Sequence, residues 1–398
     1  MSHTYRHPKL TVLLLIICSV LGLAGTDLVL PAVPSLPDSL EGTVAQSQLV
    51  LAAFVAGGAL GLLLFGELGA RLDQRRLLLL SLAGYAATSL VAIGVDTLQG
   101  LIIVRFFQGI SSAAAAVFAP GIIRVLFSEK AALRAIGVLG SVESLAPALA
   151  PIAGVWLLQW YGWQASFVSI AICASVMFAI IFTVRKQVPN VHPERAAGGY
   201  WSLLCNRVFL RYALSQALTL GGLLIFVFGA PAVITKTMDG TLQHFIIMQV
   251  SGITTFIIAA NAAQWTAERF GSERMIWFGT VLSAIGGLAI AIFALVGNND
   301  PRWLALLFLP MNFGLGLRGP PGFYAAVVAS DGNDARGAAL VILMILLTTA
   351  TGTGLVAPMI LEGLVPLAWI SAAVSTASIL VLAGLPGLPP QPVSAVSS

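Results

Sequence analysis

Leu10 to Leu30 reads LTVLLLIICSVLGLAGTDLVL, an apolar run whose one formal charge is Asp27 near its end. A helix needs about 20 such residues to cross a hydrocarbon core of roughly 30 Å. Comparable runs recur about twelve times, near 10 to 30, 47 to 66, 77 to 95, 100 to 123, 135 to 158, 163 to 184, 209 to 234, 244 to 266, 275 to 296, 303 to 328, 337 to 361 and 364 to 386. None shows the alternation of a lipid-facing barrel strand, so the spans are helices. With 58% hydrophobic and 9% charged residues, and a mean hydropathy of +0.95, the composition excludes a soluble globular domain. The chain reads as an all-α membrane protein. Arg6 and Lys9 before the first run and Ala24-Gly25 within it have the elements of a cleaved signal. The length of that run, its Asp27 and the similar runs after it argue for a resident span.

Lys and Arg are distributed unevenly between alternate connections. If the amino terminus is cytoplasmic, that side collects Arg71, Arg75, Arg76, Arg124, Lys130, Arg134, Arg185, Lys186, Arg195, Arg207, Arg211, Arg269, Arg274 and Arg336, while the other side keeps Lys236 and Arg302. This positive-inside bias predicts both termini in the cytoplasm. The net charge of +4 then reflects topology, and no nucleic-acid partner is implied. Cys18, Cys173 and Cys205 have no metal-type spacing, and the first two read as small core residues. The sequence calls for no cofactor and no metal.

The polar stretch from Lys186 to Arg207, KQVPNVHPERAAGGYWSLLCNR, divides six spans from six. It predicts a bundle over 1–185, a cytoplasmic linker over 186–208, a second bundle over 209–386 and a disordered tail over 387–398. GELGARLDQRR from Gly66 and AERFGSER from Ala267 echo each other about half a chain apart, as duplication of a six-span unit predicts.

Two such bundles, with a related basic turn in each, resemble the major facilitator superfamily. More narrowly, the chain resembles its twelve-span drug:proton antiporters of the bicyclomycin and chloramphenicol resistance type. In the turn after the second span, Gly66, Leu68 and Arg71 match the family signature, and Arg75 and Arg76 keep its basic character. Ala70 stands where the family has an Asp that anchors a cytoplasmic gate, which leaves the first copy of that lock in question. Glu268, Arg269 and Gly271 retain the acid, Arg and Gly in the second copy. Either turn also reads as a solvated topological anchor.

The fourth span carries Arg105-Phe106-Phe107-Gln108-Gly109, similar to the family's R-x-x-Q-G. A charge at that depth costs at least ~2.5 kcal/mol unless it is paired or wetted. Arg105 is therefore either part of the coupling machinery or a cap on neighbouring carbonyls. In the fifth span Glu143, Pro147, Pro151 and Gly154 share one kinked, small-residue stripe. Ala150 to Gly154 resembles the antiporter motif G-P-x-x-G-G, which in the family packs the halves together on the outer side. The family provides no precedent for Glu143, and three roles stand open: a proton site, a substrate contact, or a structural partner of Arg105.

Asp27-Leu28-Val29-Leu30-Pro31, followed by Pro34, resembles the D-x-x-x-P-x-x-P ending of the first span in the resistance-type antiporters, some of which carry another acid at the place of Ser19. An acid in an apolar cavity can take a proton from outside and give it up as substrate competes for the site, so Asp27, Arg105 and Glu143 are the proton-coupling candidates. The alternative is a hydrated Asp27 that ends its helix. Arg318 lies in GLGLRGPP, where Pro320 and Pro321 predict a broken or bent tenth helix. It reads either as a receptor for an anionic substrate or as a partner of Asp331 or Asp334. Arg318, Phe54, Gln108, Phe226, Asn261 and Asn312 are the substrate-binding candidates. Asp27 and Glu143 balance Arg105 and Arg318, so the cavity need not favour either sign of ligand.

The resemblance implies proton-coupled efflux of small amphipathic molecules by a monomer in the bacterial inner membrane, with the substrate, protons and lipid as its partners. Alternatives within transport are a proton symporter or uniporter for a nutrient, and an exporter of an anionic metabolite such as a siderophore. An intramembrane enzyme is disfavoured, since no nucleophile and base share one depth in the spans. A receptor that only retains the fold is a further class.

Overall fold

The structure is a computed structural model that describes residues 8–42, 44–185, 188–189, 198–296 and 300–388. The first half holds α1 (Pro8–Asp27), α2 (Leu36–Leu40), α3 (Val44–Gly69), α4 (Gln74–Ile93), α5 (Leu98–Ser112), α6 (Ala114–Leu126), α7 (Glu129–Glu143), α8 (Ala146–Tyr161) and α9 (Gln164–Thr183). After α10 (Tyr200–Cys205), the second half holds α11 (Arg207–Thr237), α12 (Leu242–Phe270), α13 (Ser272–Val296), α14 (Arg302–Leu307), α15 (Leu309–Ala329), α16 (Asp334–Val356) and α17 (Leu364–Gly384). Ten helical stretches among the described residues are long and apolar enough to cross a bilayer. The other two expected spans, the fifth and tenth, are present as the interrupted pairs α7/α8 and α14/α15.

Proline chemistry sets both interruptions. Pro147 has no N–H to offer the Glu143 carbonyl, so α7 stops there and Leu145 N bonds the Val142 carbonyl in a tighter turn, at 3.1 Å. Pro310 likewise cannot serve the Leu306 carbonyl, and α14 ends at Leu307. Of the break or bend expected at Pro320 and Pro321, the break does not occur: α15 runs through both. Asn312, Arg318 and the prolines instead dilute the hydropathy of that span.

The expected linker is partly helical, because Tyr200 to Cys205 forms α10 and α11 starts at Arg207. Residues 190–197 of the linker, and 389–398 of the tail expected to be disordered, lie outside the described residues. Cys18 is buried, but Cys173 and Cys205 are exposed, so the second faces outward from its span rather than into the core.

Backbone proximity holds the first half together. A methyl on Gly57 would run into the Phe106 carbonyl, and one on Gly109 into the Phe54 carbonyl, so α3 and α5 interlock through bare backbone. The turns carrying most of the Arg and Lys gather on one face of the molecule, the basic face. At the opposite, far face Trp156, Trp160 and Tyr161 at the end of α8 are exposed, with Trp303 and Trp369 near the same level. Trp201 and Trp265 are exposed toward the basic face, giving an aromatic rim on each side.

The two halves meet through α3 with α16, α6 with α16, α7 with α12 and α7 with α15. These contacts belong to the basic end. Elements of the far end, namely α8, the 3-10 turn Leu30–Ser35 and the 3-10 turn Ala357–Glu362, pack mainly against their own half. The molecule is therefore closed at the basic face and parts toward the far face.

Candidate transport pathway and gate

Among the described residues, three ion pairs between the halves hold the closed end. Glu67, in the last turn of α3, takes a forked pair of bonds from Arg336 at the start of α16, at 2.8 and 3.0 Å. Arg124 of α6 reaches Asp334 at 2.9 Å, and Lys130 of α7 reaches Glu268 of α12 at 2.8 Å. The first and third pairs mirror each other: an acid ending the second span of one half meets a cation opening the fifth span of the other. Arg336 also donates to Asn333 Oδ1 at 2.6 Å and to the Gly198 carbonyl at 2.9 Å, while Tyr200 Oη donates to the Leu63 carbonyl at 2.5 Å. The end of the linker is thus tied to the same closure. Burial pushes the Tyr200 hydroxyl well above the usual phenol range, so it remains a donor.

Glu67 was not among the candidates. Alignment of GELGAR with AERFGS places it opposite Glu268, and that is the signal which could have found it. It answers the question raised by Ala70: the acid of the first turn is present, displaced to the helix end. Gly66 beside it leaves room for Tyr200 Oη and for Ala339 of the second half. Arg71 folds back on Glu67 at 2.5 Å. Arg75 donates to the Arg185 carbonyl at 2.8 Å, tying α4 to the end of α9, and Asp73 caps α4 by accepting from Arg75 N. Arg269 rests against the rings of Trp265 and Phe270, each 5.8 Å away.

Inside the spans the cations are enclosed. Arg105 has no exposed surface and donates to the Gly25 carbonyl at 3.0 Å, the Val50 carbonyl at 3.3 Å and Gln108 Oε1 at 2.8 Å. Phe54 lies under its guanidinium at 4.1 Å, and Gln108 passes a bond on to Ser89 Oγ at 2.7 Å. Arg105 therefore acts as a tie between α1, α3 and α5, and its partners do not include Glu143. Arg318 is equally enclosed, donating to the Ser215 carbonyl at 2.5 Å and to Thr219 Oγ1 at 2.6 Å. Neither expected acid reaches it, since Asp334 is taken by Arg124.

The acids are placed differently. Asp27, in the last turn of α1 toward the far face, is half-buried and has no hydrogen-bond or ionic partner among the described residues. Glu143 is also half-buried, and its Oε1 accepts from Ser19 Oγ of α1 at 2.5 Å. Less than a turn before it, Asn261 of α12 donates to Ser141 Oγ at 3.0 Å across the halves, and Phe256 closes on Gly140. Glu143 thus ends α7 on the far-face side of this contact between the halves.

Most expected wall residues are not at a wall. Arg318, Phe54, Gln108, Phe226 and Asn312 are buried within the packing of one half, Phe226 against Phe308 and Asn312 bonded to the Phe308 carbonyl at 3.0 Å. Asn261 alone of that set is exposed, at the junction just described. Pro147 is exposed beside the break, and Pro151 and Gly154 continue along α8. The resemblance implies packing between halves for that stretch, but Gly154 meets the Leu28 carbonyl and Pro31 of its own half, because the far ends stand apart here.

Two helical halves, clasped by mirrored ion pairs at one face and parted at the other, define a multi-pass membrane transporter. The chain belongs to the Major Facilitator Superfamily, whose family model matches residues 15–357; as a member of a transporter family it is not an enzyme. It is 27% identical over 305 residues to a chloramphenicol resistance protein of Pseudomonas aeruginosa, covering 74% of this chain and 72% of that protein. It is 26% identical over 313 residues to a bicyclomycin resistance protein homolog of Haemophilus influenzae, covering 76% of each. Among solved structures, the Major Facilitator Superfamily transporter FucP in the outward conformation superposes with a TM-score of 0.71 at 16% identity, over 95% of this chain and 99% of that one.

Proposed function

We propose that this transporter is a proton-coupled exporter of small amphipathic molecules, working as a monomer in the bacterial inner membrane with the basic face and both termini in the cytoplasm. The halves over 1–185 and 209–386 rock about the central opening, and the linker between them stays on the cytoplasmic side. The observation that carries this reading is a pair of half-buried acids, Asp27 and Glu143, set in apolar spans toward the far face with no cation bound to either among the described residues. Such acids can bind a proton from the outer solution and release it inward as substrate is exchanged. Resistance to chloramphenicol or bicyclomycin in the relatives' names supports the outward direction and the substrate class. The Lys and Arg bias supports the orientation.

The energetics suffice. Each entering proton contributes about 2.3 kcal/mol per 100 mV of membrane potential and about 1.4 kcal/mol per pH unit. One or two protons sustain substrate gradients of tens-fold to thousands-fold. Export of an anionic metabolite is the weaker reading, because Arg105 and Arg318, the intramembrane cations that would receive it, are sealed inside their own halves.

Everted vesicles test the proposal. Addition of substrate to vesicles holding a preformed pH gradient collapses that gradient, and Asp27→Asn abolishes the response. A gradient that deepens on addition of substrate indicates symport. An unaltered response in the Asn variant removes Asp27 from the coupling.

A further inference from the structure

Glu143 coincides with the break in the fifth span. Below the break, α7 packs on α12 and α15 of the second half as well as on α1 and α6 of its own; above it, α8 packs on α1, the turn Leu30–Ser35 and α9 of the first half. The two segments share α1, but the lower one alone touches the second half, and the residues that join them are Ser144 and Leu145. The Glu143 carbonyl lacks its helical donor because of Pro147, so the joint has one backbone bond fewer than a continuous helix and bends at little cost.

Ser19 Oγ is the polar side chain that the structure sets against the carboxylate. Other charged groups on α7 and on the helices packed against it are engaged or remote. Arg124 holds Asp334, Lys130 holds Glu268, and Arg318 is enclosed by α11. Asp27 is eight residues along α1 from Ser19, while Lys9, Glu129, Arg134, His244 and Arg269 lie toward the ends of their helices. A charged Glu143 therefore depends on Ser19 and on water entering from the far face. Closing the far face requires α8 to swing toward the second half about the Ser144–Leu145 joint, which removes that water. A carboxylate with one donor cannot be dried as an anion without a large penalty.

We infer that Glu143, held by Ser19 at the break in the fifth span, is the group whose neutralisation permits that span to bend and the far face to close. The inference rests on the proton-coupled reading above. In the far-open state the carboxylate takes a proton from the outer solution and becomes a neutral acid; the far face closes, the basic face opens, and the same proton leaves to the inner solution. A cationic substrate seated against the carboxylate satisfies the same condition on the return. Charged and empty, Glu143 cannot be dried, so the span does not pass through the state closed at both faces in either direction, and neither a proton nor a substrate slips through alone.

Spin labels read the bend directly. Gln159→Cys at the end of α8 and Leu361→Cys in the second half are both exposed at the far face, and Cys18, Cys173 and Cys205 are replaced beforehand. In this background the far-open population falls on acidification. Glu143→Gln is far-closed by roughly tenfold relative to the parent at alkaline pH and no longer responds to acid. Ser19→Ala, which removes the donor and leaves the acid, keeps the response but displaces its midpoint. A folded Glu143→Gln protein with the parental pH response overturns the inference while leaving proton coupling intact. Should Glu143→Gln fail to fold, Ser19→Ala with an unmoved midpoint overturns it instead. If unsubstituted protein in vesicles exchanges no protons with any substrate, the proposed function falls, and the spin labels of the parent then show no acid response to explain.

Discussion

Replacing Arg336 by glutamine removes the strongest of the clasps that close the basic face. Its side chain is 4% exposed and that of Glu67 is 31% exposed. Hydrogen bonds to charged groups contribute about 1.5–3 kcal/mol, and screening on the open side of Glu67 brings the forked pair to about 1–2 kcal/mol. Because the bond exists only with the basic face closed, that free energy enters the conformational equilibrium directly. The expected shift is about 5-fold to 30-fold toward states open at the basic face. Ala339→Cys, buried against Gly66, reports the opening through its labelling rate with an impermeant maleimide in everted vesicles. Glu67→Gln accelerates labelling as Arg336→Gln does, and the double variant adds little to either, since both remove one interaction. Glu268→Gln has a smaller effect, because its partner Lys130 is 62% exposed where Arg336 is 4% exposed, so solvent screens that pair more. If the Glu67 and Arg336 effects are absent, or add as independent changes, the ion pair does not hold the gate.

Two further outcomes concern stability. Arg105→Lys keeps the charge but cannot reach Gly25, Val50 and Gln108 together, so it lowers stability by about 2–4 kcal/mol, seen as a lower unfolding temperature in detergent. Gly109→Ala drives a methyl into the Phe54 carbonyl and forces α3 from α5, so folded yield and unfolding temperature both fall; an unchanged melting profile contradicts the backbone interlock.

Much of the fold is legible along the chain. Hydropathy locates the spans because lipid demands an apolar run wherever the backbone crosses, whatever the neighbours are. The turns after Gly66 and Ala267 echo each other in sequence, and each supplies the acid of one of the mirrored ion pairs. Pro147 predicts the kink beside Glu143, since a missing N–H acts within a single turn. Pro320 and Pro321 produce no break for the complementary reason: packing with neighbouring helices carries α15 through both prolines, and no local rule contains those neighbours.

The site is less legible. Asp27, Glu143, Arg105 and Arg318 are all found by the cost of charge in a span, yet that cost is equal for a charge that faces a cavity and one sealed by carbonyls. The partners separate them, and the partners lie far off in sequence: Gly25 and Val50 for Arg105, Ser215 and Thr219 for Arg318, Ser19 for Glu143. Glu67 escaped notice because a carboxylate at a helix end looks like solvated surface until Arg336 is brought to it.

From its sequence alone, then, this protein is a two-part helical transporter of the membrane, since solvation by lipid and charge bias at the connections act locally and leave their trace in order along the chain. Which charges are sealed by carbonyls, which brace the halves, and which face stands closed were decided by tertiary structure, because each depends on contacts between residues that the linear chain keeps far apart.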